Sequence, residues 1–178
     1  MKTILIISAS LRQHSNSEAL ASAFADGARA AGHSVETVSL AGKALSFCRG
    51  CLACQKLHRC IIRDDAVGIA EKMSRADALV FATPIYYYEM SGQLKTLLDR
   101  ANPLYRSDYA FRDVYFLSAA AEDEEGVDER AVHGLEGWIA CFERARLAGT
   151  VFAGGVNAAG EIAGHPALQR AYDMGKAI

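Results

Sequence analysis

The chain has 178 residues, 51% of them hydrophobic and 22% charged, enough for one domain that buries roughly 70% of the surface its unfolded form exposes. A formal charge of -2, from 19 basic and 21 acidic residues, provides no global pull towards nucleic acid or anionic lipid, so neither is expected as a partner. The start carries one cation, Lys2, and only the short apolar run Ile4 to Ile7 before Ser8; that is too short for a signal-peptide core or a membrane span, and the expected location is cytoplasmic.

Thr3 to Ile7 is a β-branched and leucine run, the mark of a strand covered on both faces. Leu20, Phe24, Ala28 and Ala31 then recur at helical spacing until Gly32, a C-cap, and Val35 and Val38 alternate with polar residues as a second strand. A cysteine-rich stretch follows. Asp64 and Asp65 precede a helical pattern through Val67, Ile69, Ala70 and Met73, acidic residues being suited to a helix N-terminus. Ala78 to Ala82 reads as the third strand, ended by Thr83-Pro84 because proline cannot donate to a central ladder. A helix from Ser91 carries Leu94, Leu97 and Leu98, and Asp113 to Leu117 supplies strand four. Leu135, Trp138, Ile139 and Phe142 form a core-facing helical stripe that includes Cys141 as a packing residue. Val151 and Phe152 begin a fifth strand, and Ala167 to Lys176 is the last helix. No repeat or linker divides residues 1–178, so a single domain is expected. The alternation predicts a three-layer α/β/α, doubly wound five-stranded parallel sheet of flavodoxin-like order 2-1-3-4-5, with its ligand beyond the carboxyl ends of strands one and three.

Two unusual loops fall at those ends. Ser8 to Ser17 feeds a helix N-terminus, where backbone N–H groups and the helix dipole favour an anion. Hydroxyls of Ser10, Ser15 and Ser17, the Asn16 amide and the Arg12 guanidinium can complete a cage around a phosphate dianion; the same composition also makes a polar turn with Ser15 or Asn16 as N-cap. The fingerprint G-x-G-x-x-G is absent, which favours a terminal monophosphate over a pyrophosphate. Thr83-Pro84-Ile85-Tyr86-Tyr87-Tyr88 places three aromatic rings after a buried strand. They can wall an isoalloxazine ring, cap the core or join subunits.

Cys48, Cys51, Cys54 and Cys60 have the spacing C-x2-C-x2-C-x5-C. Such a run can converge on an iron–sulfur cluster, bind zinc with His58 as a substitute ligand, or remain as packed, mildly redox-active thiols. His14, His33, His133 and His165 show no ligand spacing and read as solvated or capping residues, His14 with a weak claim on the phosphate. Lys95, Asp99 and Arg100 read as surface or interface ion pairs. The acidic tract Glu122 to Glu125 is a solvated loop or a surface that steers a basic partner.

The serine loop, the segment Thr83 to Arg100 and the cysteine stretch together resemble the NAD(P)H-dependent FMN reductase family, most of all its iron–sulfur flavoprotein branch. The resemblance implies a flavodoxin-like fold that binds FMN and uses NAD(P)H as co-substrate, often as a homodimer or homotetramer. It places the phosphate on Ser10, Arg12, Ser15, Asn16 and Ser17, the flavin ring along Thr83, Pro84, Ile85, Tyr86 and Tyr87, and Ser118 with Ala119 at the other edge. Likeness to the iron–sulfur members implies a 4Fe-4S cluster on Cys48, Cys51, Cys54 and Cys60, whereas likeness to their cluster-free relatives implies packed or mildly redox-active thiols. The first loop departs from the family by starting Ser8-Ala9-Ser10 where relatives often have a glycine. The implied activity is electron transfer from a nicotinamide through FMN to a quinone, nitro or azo compound, flavin or redox protein. The alternative is an iron–sulfur electron carrier.

Overall fold

The computed structural model describes residues 1–178 apart from the side chain of Arg106. Strands β1 (Thr3–Ser8), β2 (Ser34–Ser39), β3 (Ala78–Tyr86), β5 (Asp113–Ala119) and β6 (Arg146–Ala153) pair in parallel in the order β2-β1-β3-β5-β6, the doubly wound arrangement expected. A two-residue strand, β4 (Glu89–Met90), pairs antiparallel with the end of β3.

The pleat sorts each central strand between two cores, because successive side chains point to opposite faces. Ile4, Ile6, Val80 and Leu117 face α1 (Asn16–Ala30) and α6 (Pro166–Lys176). Leu5, Ile7, Phe81 and Phe116 face α3 (Asp65–Arg75), α4 (Gly92–Arg100) and α5 (Glu129–Ile139). Burial on both sides explains the near-continuous apolar runs in sequence. Helices α1 and α6 meet at Gly27 and Gly175: a Cβ on Gly27 would fall on the carbonyl oxygen of Tyr172, and one on Gly175 on that of Phe24. Both glycines are required by this close approach of backbones.

Four local expectations are corrected. Strand β3 does not end at Thr83-Pro84. Pro84 still pairs with Ala119 at the last step of the parallel ladder, and the chain then runs into a hairpin, Ile85 opposite Met90 and Tyr86 opposite Glu89. Strand β6 begins at Arg146, ahead of Val151, where exposed edge residues mask the apolar signal. Helix α5 ends at Ile139, so Cys141 lies beyond it and is exposed instead of packed. Arg100 is no surface ion-pair partner: it is 1% exposed and binds Asp64 through two nitrogens, 2.7 and 2.8 Å. Its neighbours Lys95 and Asp99 do form the exposed i, i+4 pair, at 2.7 Å. A short helix, α2 (Cys54–Leu57), interrupts the cysteine stretch. Among the described residues, no helix is long and apolar enough to cross a membrane.

Candidate functional site

The loop after β1 is anchored before it reaches the site. Ala9 N–H donates to the Ala82 carbonyl at 2.8 Å, and the Ala9 carbonyl accepts from Gln93 Nε2 at 2.7 Å. Ala9 is completely buried, so alanine fits where a glycine is usual. Ser15 caps α1, its Oγ accepting from Glu18 N–H at 3.2 Å, and Ser10 Oγ accepts from Arg12 N–H at 3.2 Å. Each of these hydroxyls keeps its own proton to donate. Ser17 is 1% exposed, yet its Oγ has no partner. A buried hydroxyl without a hydrogen bond is costly, so this atom marks a place where a polar guest belongs.

Across from this loop the hairpin turn Tyr87-Tyr88 has φ of +52° and +66°. Two consecutive left-handed residues make the hairpin turn that normally takes Asn-Gly. Tyrosine there is strained, by about 1–2 kcal/mol per residue, and strain of this kind collects at functional sites. Tyr88 is held from the side by Arg130, whose guanidinium lies 5.7 Å from the ring centre. The neighbouring Glu122 carboxylate pushes the Tyr88 phenol pKa up.

Loop and hairpin line one cleft of about 290 Å³, bounded by Ser10, Arg12, Ser15, Asn16 and Ser17 on one side and Pro84, Ile85, Tyr86 and Tyr87 on another. A third wall consists of Ala119, Ala120, Ala121, Val156 and Asn157. This wall is a strap of backbone bonds: Ala120 N–H to Ala153 carbonyl at 3.0 Å and Val156 N–H to Ala120 carbonyl at 2.9 Å. Gly154 permits it, because a Cβ there would clash with Asp123 and the Glu122 carbonyl. No carboxylate lines the cleft, and Arg12 is its one cation among the described residues.

Some expected residues are placed differently from the others. Asn16 lines the cleft, but its amide is fully engaged: Nδ2 donates to the carbonyls of Val156 (3.3 Å) and Ala158 (2.9 Å), and Oδ1 accepts from Ile162 N–H (3.2 Å). It staples the 156–162 segment to α1. Thr83 and Ser118 are completely buried behind the lining. Thr83 Oγ1 accepts from Ser91 N–H at 3.1 Å, tying the hairpin to the start of α4, and Ser118 Oγ donates to Asp128 at 2.6 Å. Arg12 sits at the rim, donating to the Asn157 carbonyl at 2.6 Å. Sequence reasoning missed Ala120, Ala121, Val156 and Asn157. Their signal was position alone, just past the carboxyl ends of β5 and β6.

Cys48, Cys51, Cys54 and Cys60 ring a separate shallow recess together with Asp99, Arg100 and Asn102. As placed, no three His, Cys, Asp or Glu side chains converge as for a single metal ion among the described residues. Four thiols on one stretch supply the donor set of an iron–sulfur cluster and equally that of a tetrahedral zinc site. His58 ends α2 with φ of +53°, and His165 caps α6 by accepting from Ala167 N–H at 3.1 Å.

Residues 2–158 match the family described as NADPH-dependent FMN reductase. The chain belongs to that family. It is similar to an iron-sulfur flavoprotein of Methanosarcina thermophila, 31% identical over 134 residues that cover 75% of this chain and 70% of the relative. An iron-sulfur flavoprotein of Methanocaldococcus jannaschii is 37% identical over 57% of this chain, which spans about half (52%) of that relative. Among solved structures, the NAD(P)H:quinone oxidoreductase of Methanothermobacter marburgensis superposes with a TM-score of 0.73 at 20% identity, covering 98% and 96% of the two chains. An azoreductase of Bacillus anthracis superposes with a TM-score of 0.71 at 17% identity over both full lengths. At these identities the superpositions show the fold, a flavodoxin-like α/β sandwich. The family carries FMN and NAD(P)H with it, and the orphaned Ser17 hydroxyl, the acid-free serine loop and the tyrosine hairpin fit FMN.

Proposed function

We propose that this chain is an NAD(P)H-dependent FMN oxidoreductase that passes electrons to a small planar acceptor, a quinone, nitro or azo compound or flavin, or to a redox protein. The observation that carries this reading is one cleft lined by both the serine loop and the tyrosine hairpin, with a buried unpaired hydroxyl on its serine side. A bound FMN would supply the hydride-accepting and electron-donating chemistry between nicotinamide and acceptor. Ser10, Ser15 and Ser17 donate hydroxyl protons to the phosphate oxygens, the α1 N-terminus adds its free N–H groups, and Arg12 neutralises the remaining charge. Pro84 to Tyr87 provide the apolar wall along the ring, and the strap of Ala119 to Ala121 with Val156 and Asn157 excludes water from the other edge. Thr83 and Ser118 keep those walls in register from behind. No acid, histidine or cysteine lines the cleft among the described residues, so the protein binds and orients and forms no covalent intermediate.

Tyr86, Tyr87 and Tyr88 are 50%, 97% and 45% exposed, which supports an acceptor face completed by a neighbouring subunit in a homodimer or homotetramer. Exposed Phe47, Leu52, Leu57 and Ile61 on the cysteine stretch support the same assembly. Steady-state oxidation of NADH and NADPH by the FMN-loaded chain, with menadione or ferricyanide as acceptor, tests the activity. Turnover with menadione is expected, and reduction of neither acceptor would end the reading.

A second reading rests on the ring of four cysteines: an iron–sulfur flavoprotein that holds a 4Fe-4S cluster on Cys48, Cys51, Cys54 and Cys60 and hands electrons to a protein partner. The names of the two relatives support it.

A further inference from the structure

Among the described residues Arg100 is the largest fully buried side chain, on a helix whose sequence reads as solvent-facing at that point. Its guanidinium has five N–H donors. Nη1 donates to the Ser46 carbonyl and to Asp64 Oδ2, both at 2.7 Å. Nη2 donates to the Ile62 carbonyl at 3.0 Å and to Asp64 Oδ1 at 2.8 Å. Those four bonds grip both arms of the cysteine stretch. The fifth donor, on Nε, is buried and without a partner, and the Cys60 thiol stands beside the same guanidinium.

Two residues further on, Asn102 Nδ2 donates to Cys54 Sγ at 3.1 Å. Cys54 Sγ is therefore approached by an N–H group from the turn after α4, and Cys60 lies beside the guanidinium at the end of α4. A neutral thiol is a poor acceptor, whereas a thiolate bound to iron is a good one. Donors of this kind bond more strongly to a sulfur that carries negative charge.

We propose that the C-terminal end of α4 and the turn after it form the outer shell of the cysteine centre, with Arg100 Nε and Asn102 Nδ2 as positioning donors to the Cys60 and Cys54 sulfurs of a bound iron–sulfur cluster. The proposal rests on the second reading above and is independent of the FMN cleft. Hydrogen bonds to cluster sulfurs stabilise the more negative, reduced state and so raise the potential. Arg100 also fixes the two arms that bring Cys48 and Cys60 to one recess, so it governs cluster retention as well.

The test uses the full-length, FMN-loaded chain reconstituted anaerobically with ferrous iron and sulfide. Iron, sulfide and FMN are assayed per chain, and the cluster potential is followed by EPR. Asn102→Ala is expected to keep full iron and FMN while its potential shifts downward. Arg100→Lys, which keeps the charge and loses the Nε fork, is expected to keep FMN and lose at least half of its iron. Wild-type iron content and potential in both variants would overturn the proposal, as would a wild-type chain that takes up no iron while retaining FMN. Should Arg100→Lys lose FMN as well, the fold has failed in that variant and the potential of Asn102→Ala decides alone. A wild-type chain that holds a cluster but no FMN contradicts the oxidoreductase reading and leaves this one standing.

Discussion

The flavin cleft and the cysteine recess are built on opposite principles. Each wall of the cleft continues from the carboxyl end of a strand of the parallel sheet, β1, β3, β5 or β6, so strand order brings the walls together. The recess lies in the stretch between β2 and α3, irregular except for one short helix, with Cys48 and Cys51 exposed. That stretch is gathered by Asp64, Asp65 and Arg100: Ser46 N–H donates to Asp64 at 2.8 Å, and Ala44 N–H to Asp65 at 2.7 Å. A site on strand ends inherits its geometry from the core, whereas a site on an excursion needs a dedicated latch. The two should fail separately.

Removing the latch is the largest expected effect. Arg100→Met leaves Asp64, whose side chain is 7% exposed, as an unpaired buried carboxylate, at a cost of about 3–5 kcal/mol. Limited proteolysis should then cut within residues 41–63 while FMN binding persists. Burial tends to raise the Asp64 pKa, but the Arg100 and Ser46 hydrogen bonds overcome it and the net shift is downward. A carboxylate held below its unfolded value contributes stability above that value, near pH 4, and loses it as pH falls through the folded pKa. Acid titration of the wild type should therefore loosen this segment below about pH 4, and Asp64→Asn should flatten that dependence.

Gly27→Ala strikes the other region, forcing α1 away from α6 and tilting the serine loop that α1 presents. Overpacking against backbone costs about 1–3 kcal/mol or more, read as a lower midpoint in urea with weakened FMN binding and unchanged protease resistance of residues 41–63.

Ser17→Ala separates binding from stability. Its hydroxyl has no partner within the chain, so the midpoint in urea should hold, while loss of a charge-assisted bond of about 1.5–3 kcal/mol weakens FMN at least tenfold. Tyr87→Asn with Tyr88→Gly is the smallest change: relief of two left-handed tyrosines, about 1–2 kcal/mol each, less the lost Arg130–Tyr88 contact of about 0.5–1 kcal/mol and a glycine entropy cost of about 0.5–1 kcal/mol, should stabilise the hairpin by a net of about 1–2 kcal/mol. The same variant should raise KM for a planar acceptor such as menadione.

What could be read from sequence follows the same division. Strand and helix periodicity exposed the alternation that leaves only a few doubly wound sheet orders, and the two odd loops at strand ends marked the cleft, because topology dictates where such ends meet. Contacts made by backbone or across the fold were opaque. Nothing local distinguishes Arg100 from the exposed Lys95 on the same helix; its burial depends on Asp64, 36 residues away. Asn16 looked like a phosphate ligand because an amide at a helix start suits an anion, but the 156–162 segment claims it first. The alanine-rich strap has no side-chain signature at all.

The central claim is that FMN occupies the cleft between the serine loop and the tyrosine hairpin. Titration of the flavin-free chain with FMN, followed by quenching of flavin fluorescence, tests it most directly. One FMN per chain is predicted, with Ser17→Ala shifted to weaker binding at unaltered stability. Fluorescence that stays unquenched at saturating FMN, or a Ser17→Ala curve that overlays the wild type, would contradict the account.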